Sequence, residues 1–85
     1  MSVVNTSPIT EKFLTKDLSL ASLCYAKGAL FAGIDRDDRT CWFIFENKQL
    51  CETLQQQFFA KSIDVNAKEY SDALRTLKNL IFSVD

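Results

Sequence analysis

Apolar positions along this chain change their spacing several times, and each change marks a predicted element. Across residues 18–27, LSLASLCYAK, the side chains of Leu20, Leu23 and Cys24 share one helical face, which Leu18, Ala21 and Tyr25 widen. Asp17 stands where an N-cap belongs, and Gly28 where a left-handed C-terminal residue is needed. A helix that is apolar around most of its circumference is expected to be largely buried.

Residues 29–46, ALFAGIDRDDRTCWFIFE, form two β-rich runs around a polar turn. They predict a hairpin with strands at 29–36 and 39–46 and Asp37-Asp38 at its tip, although the missing glycine leaves a longer loop as an alternative. In that register Leu30, Ala32 and Ile34 share a face with Phe45, Phe43 and Cys41, the expected core face. The opposite face carries Phe31 and Ile44 and sets Trp42 across from Gly33, where a large ring can cover a residue without a side chain. Both faces are then apolar, which calls for helices on both sides or a partner on one.

In residues 48–60, KQLCETLQQQFFA, a stripe of Leu50, Cys51, Leu54 and Phe58 predicts a second helix with Asn47 as N-cap. Phe59 lies about 100° from the centre of that stripe, so it is either exposed or packed at the helix end. After Ser62-Ile63-Asp64 interrupts the pattern, Asn66 begins a third helix, with Glu69 in the capping-box position and Val65 and Tyr70 spaced as a hydrophobic staple. Its stripe runs through Tyr70, Leu74, Leu77 and Ile81, broadened by Ala67, Ala73 and Leu80.

Upstream, residues 9–16, ITEKFLTK, alternate loosely and suggest a short edge strand, whereas residues 1–8, MSVVNTSP, have no periodicity and read as a flexible N-terminus. The expectation is one small α+β domain over residues 9–85. An antiparallel β-hairpin, three-stranded if the N-terminal edge strand forms, is packed by three helices in the order α-β-β-α-α.

Composition narrows the picture. An 85-residue chain with 47% hydrophobic content supports a single core that buries about 60–65% of the unfolded surface. Its longest apolar run, Cys41 to Phe45, is far short of the roughly 20 residues that cross a bilayer, so no membrane association is expected. Three cysteines without a CxxC pair read as free thiols in a cytoplasmic protein. A formal net charge of −1 gives no long-range attraction for phosphate backbones.

Candidate chemistry is sparse. The chain has no histidine, which removes a required part from Ser-His-Asp and Cys-His catalysis and from His-containing zinc sites. Gly28 and Gly33 have the spacing of a phosphate-binding loop, but Ile34-Asp35 stands where Lys-Ser/Thr is required. Asp35, Asp37 and Glu46 match three positions of a calcium loop, which Arg39 and Thr40 spoil at the fifth and sixth. Cys24, Cys41 and Cys51 each occupy an apolar position, as buried small hydrophobes do. No enzyme, cofactor or metal site is expected.

Two surfaces remain. Lys68, Arg75 and Lys78 lie along one flank of the third helix and, helped by Arg36 and Arg39, make a candidate nucleic-acid contact. Asp72 sits four residues after Lys68 and three before Arg75, placed to neutralise both. Phe31, Trp42 and Ile44, on the second face of the hairpin, make a candidate protein interface.

Thr15-Lys16-Asp17-Leu18, Gly28, Gly33-Ile34-Asp35-Arg36, Phe43-Ile44-Phe45-Glu46, Val65-Asn66-Ala67, Leu74-Arg75 and Leu77-Lys78 follow one another in an order and spacing that spans about residues 13–82. In these marks the chain resembles a family of small uncharacterised bacterial and phage proteins known only as a domain of unknown function. The resemblance implies a compact bacterial domain belonging to a phage or mobile element, and it carries no activity or site residues. The functional expectation is therefore a non-catalytic protein-interaction module, self-associating as a homo-oligomer, most simply a dimer, through Phe31, Trp42 and Ile44. Nucleic-acid binding through the basic strip is the alternative, and sequestration of a small ligand a further one.

Overall fold

A computed structural model describes residues 11–83. The expected flexible stretch 1–8 lies outside the described residues. The chain runs through strand β1 (Phe13–Thr15), helix α1 (Leu18–Ala26), strands β2 (Phe31–Asp37) and β3 (Thr40–Phe45), then helices α2 (Lys48–Phe59) and α3 (Ala67–Ser83). This is the expected α+β class with the edge strand present, so the order is β-α-β-β-α-α. The three strands form one antiparallel sheet in the order β1-β3-β2, with the most apolar strand in the middle.

Local chemistry fixes the helix ends. The Asp17 carboxylate accepts from the Ser19 and Leu20 amides at 2.9 and 3.3 Å, as an N-cap should. Gly28, at φ +92°, turns the chain out of α1 while the Ala29 amide donates to the Cys24 carbonyl and the Gly28 amide to that of Tyr25. At α3 the Asn66 side chain accepts from the Glu69 amide at 3.0 Å. Asn47 departs from expectation. Its Oδ1 accepts from the Leu30 amide at 3.0 Å and makes no cap bond to α2, so it ties the start of the hairpin to the start of the helix.

The hairpin register also differs. Asp37 pairs with Thr40, so the two-residue tip is Asp38-Arg39, with Asp38 in the left-handed region at φ +59°. Trp42 faces Asp35, and Gly33 faces Ile44. Between Phe31 and Gly33 the ladder slips by one residue in a β-bulge, with Gly33 at φ +141°. The bulge brings two residues three apart, Phe31 and Ile34, onto the same face. Strict alternation would have separated them. The predicted core face therefore keeps Phe43, Phe45 and Ile34 but loses Leu30 and Ala32, which are exposed, while Cys41 is half-buried.

The core lies between this sheet face and all three helices. Phe13, Phe43 and Phe45 meet Leu20, Leu23 and Cys24 of α1, Cys51 and Leu54 of α2, and Leu77 of α3. As expected, α1 is largely buried, from Leu20 to Cys24 without interruption. Its one buried hydroxyl, Ser22, donates to the Leu18 carbonyl at 2.8 Å and so leaves no unsatisfied polar group. Helix α3 docks across α1, and the Tyr70 hydroxyl donates to the Ser19 carbonyl at 3.2 Å. Phe59 lies exposed beside Phe58.

Candidate interaction surface

With the helices gathered on one side, the other face of the sheet is defined by the ladder. Leu14 of β1, Ile44 of β3 and Gly33 of β2 stand in one row across it, and Trp42 and Asp35 occupy the next. Leu14 is 48% exposed, and Trp42 and Ile44 are half-buried. None of the three joins the core cluster, to which all three helices contribute from the other side of the sheet. At one rim the Lys12 ammonium donates to the Glu46 carboxylate at 2.8 Å. Asp35 and Asp37 carry the acidic rim on the β2 side, where the charges also discourage strand addition at the sheet edge.

Of the three interface residues expected from sequence, Trp42 and Ile44 lie together on this face and Phe31 does not. The bulge turns Phe31 inward, where its ring meets Phe45 edge-on at 5.4 Å and Tyr25 at 5.8 Å. Leu14 takes its place on the outer face. The signal for Leu14 was the alternation Phe13-Leu14-Thr15, buried-exposed-buried, in which Leu14 is the outward residue of an edge strand.

The basic residues separate into two groups. On α3, Asp72 accepts from Lys68 at 2.8 and 2.9 Å and from Arg75 at 3.3 Å, so the neutralisation expected from their spacing is in place. The Lys68 ammonium, foremost among the causes, holds the Asp72 carboxyl below its ordinary range. Lys78, one turn further on, makes no ion pair among the described residues. At the tip of the hairpin Arg36 and Arg39 share a shallow cleft of about 390 Å³ with Lys16, Thr40, Cys41 and Ile81. Arg36 is committed there, donating to the Ile81 carbonyl at 3.1 Å and so satisfying an orphan carbonyl in the last turn of α3.

The cysteines are free, as expected. Cys24 and Cys51 are wholly buried where α1 meets α2, and Cys41 is half-buried in β3. Burial pushes the Cys24 thiol up to about 12, and it raises that of Cys51, the opposite of what activates a nucleophilic thiolate. Among the described residues no group of His, Cys, Asp or Glu is arranged to hold a metal ion, and no helix is long and apolar enough to cross a membrane.

No curated protein and no solved structure matches this chain. A family model does, over residues 10–83. That match takes in all three strands, all three helices and both surfaces described above, and so the chain belongs to the family described as a domain of unknown function, DUF5659.

Proposed function

We propose that this protein is a non-catalytic interaction module that binds protein through the outer face of its sheet, with Trp42, Ile44 and Leu14 as the contact. One observation carries the reading: an apolar row on a three-stranded sheet whose helices all pack on the opposite side. A sheet in a small domain tolerates one wet face, but that face is ordinarily polar. Here its centre is Trp, Ile and Leu, with charge only at the rim. Aromatic and aliphatic anchors inside a polar rim are the composition of a protein interface. Polyanion binding has weaker support, because Asp72 draws both Lys68 and Arg75 and the net charge is −1.

Trp42 is the only tryptophan, so its fluorescence reports on this face alone. In dilute solution acrylamide should quench it at a rate between those of a free and a buried indole. Quenching should also be equally rapid in a chain that begins at residue 11. Full shielding of Trp42 in the dilute monomer would overturn the reading. Recovery of quenching on truncation would then identify residues 1–10 as the cover.

A further inference from the structure

The cleft at the tip of the hairpin lies apart from the outer face of the sheet. Arg36 and Cys41 are cross-strand partners, and both fall on the side that carries Ile34 and Phe43, so the cleft opens beside the helices, at the last turn of α3. Phe43 and Ile81 make its floor apolar, and Lys16, Arg36 and Arg39 make its rim cationic. No acidic side chain among the described residues lines it. Asp35 and Asp37, which flank Arg36 in β2, alternate to the other face of the strand.

Two of the cations are uncommitted. Lys16, between β1 and α1, and Arg39, at the hairpin tip, are exposed and make no ion pair or side-chain hydrogen bond among the described residues. Arg36 is held against the wall by the Ile81 carbonyl at 3.1 Å and adds its charge to theirs. A phosphomonoester, with a charge of about −1.5 to −2 at pH 7, matches Lys16 and Arg39 together. The planar fork of Arg39 can hold paired phosphate oxygens while the Lys16 ammonium meets another as a point charge. At about 390 Å³ the cleft lies near the lower end of the range of small-molecule sites, about 300–1,000 Å³.

We infer that this cleft is a binding site for a small phosphomonoester, with the phosphate on Lys16 and Arg39 and the organic part against Phe43 and Ile81. The cations are exposed, so the affinity should be modest, with Kd on the order of 0.1–1 mM. The site is on the opposite side of the sheet from Trp42 and Ile44, and it stands or falls independently of protein binding there.

Titration of the full chain with phenyl phosphate at low salt, followed by amide NMR shifts, tests the assignment. Saturable shifts should centre on Lys16, Arg39 and Cys41, and the bound ligand should slow alkylation of Cys41, the half-buried thiol in the cleft. Phenol should produce neither effect. Lys16→Gln and Arg39→Gln should each weaken binding about threefold to fivefold, with folding checked by circular dichroism. Lys27→Gln, which removes an exposed charge at the far end of α1, should leave binding unchanged. Absence of saturable shifts overturns the inference, and so does equal weakening by Lys27→Gln and the two cleft variants. A phosphoserine peptide or a single-stranded oligonucleotide should bind no tighter than phenyl phosphate. Binding of either more than about tenfold tighter overturns the assignment to a small molecule, because so large a gain needs contacts beyond a cleft of this size.

Discussion

Replacing Gly33 with alanine tests the feature that decides which residues face the core. Gly33 has φ +141°, in a region that L side chains rarely adopt. A Cβ built there meets nothing within 4 Å, so crowding contributes nothing and the whole cost lies in the backbone. Holding a non-glycine residue in such a conformation costs about 1–3 kcal/mol. The alternative is to lose the bulge, which would drive Phe31 away from Phe45 and give up part of the roughly 1.5–3 kcal/mol that burying a large apolar side chain contributes. Either response is a sizeable fraction of the stability of an 85-residue domain, about 4–13 kcal/mol. Urea unfolding followed by circular dichroism should show a midpoint lowered by about 1–3 M at an unchanged slope near 1 kcal/mol/M. Ala32→Ser, at the exposed neighbour, should stay within about 0.5 kcal/mol of the original. A Gly33→Ala protein equally close to the original would refute the claim that the bulge depends on glycine.

Two further outcomes follow from the side-chain environments. Under native conditions iodoacetamide should label Cys41 alone, with Cys24 and Cys51 reacting only after unfolding, as read by peptide mass spectrometry. Because the folded Cys24 thiol stays protonated up to about 12 while the unfolded one ionises near 9, its contribution to stability is complete below pH 9 and declines as pH rises toward 12. Cys24→Ala should therefore flatten the alkaline limb of a stability-against-pH profile, and an identical limb would contradict the burial argument. On α3, Asp72→Asn removes the carboxylate that holds Lys68 and Arg75 and should increase salt-sensitive retention on heparin. Unchanged retention would show that the strip is not a polyanion surface even when released. The Asp72 carboxyl is lowered, so whatever it adds to stability is present above the ordinary carboxylate range and fades as pH falls through the lowered value.

The helices were legible because their signals are local. A capping side chain reaches two or three residues, and an apolar stripe repeats every turn, so Asp17, Gly28, Asn66 and the stripe through Leu77 identify their helices without knowledge of anything distant. Asn47 looked like another such signal, yet its Oδ1 was taken by the Leu30 amide, seventeen residues away in sequence. The α+β class was equally accessible, since helical and strand periods alternate along the chain. The candidate surface was only partly so. Trp42 and Ile44 are two apart on one strand and must share a face, whereas Phe31 was assigned through a register that a single bulge displaced.

The sequence by itself determined the elements, the caps of α1 and α3 and the bulk of the core, because backbone capping and hydrophobic periodicity are properties of neighbours along the chain. It also determined that Asp72 would meet Lys68 and Arg75, since a helix sets that distance regardless of what surrounds it. Only the tertiary structure decided that Gly33 would absorb an extra residue at the bulge, turning Phe31 into the core and leaving the outer row to Leu14, Ile44 and the bare backbone of Gly33. Strand pairing joins residues far apart in sequence, and its side-chain period of two means that a one-residue slip reverses the face of every residue beyond it. The most informative surface of this protein was therefore fixed by pairing between strands, which no window along a single strand contains.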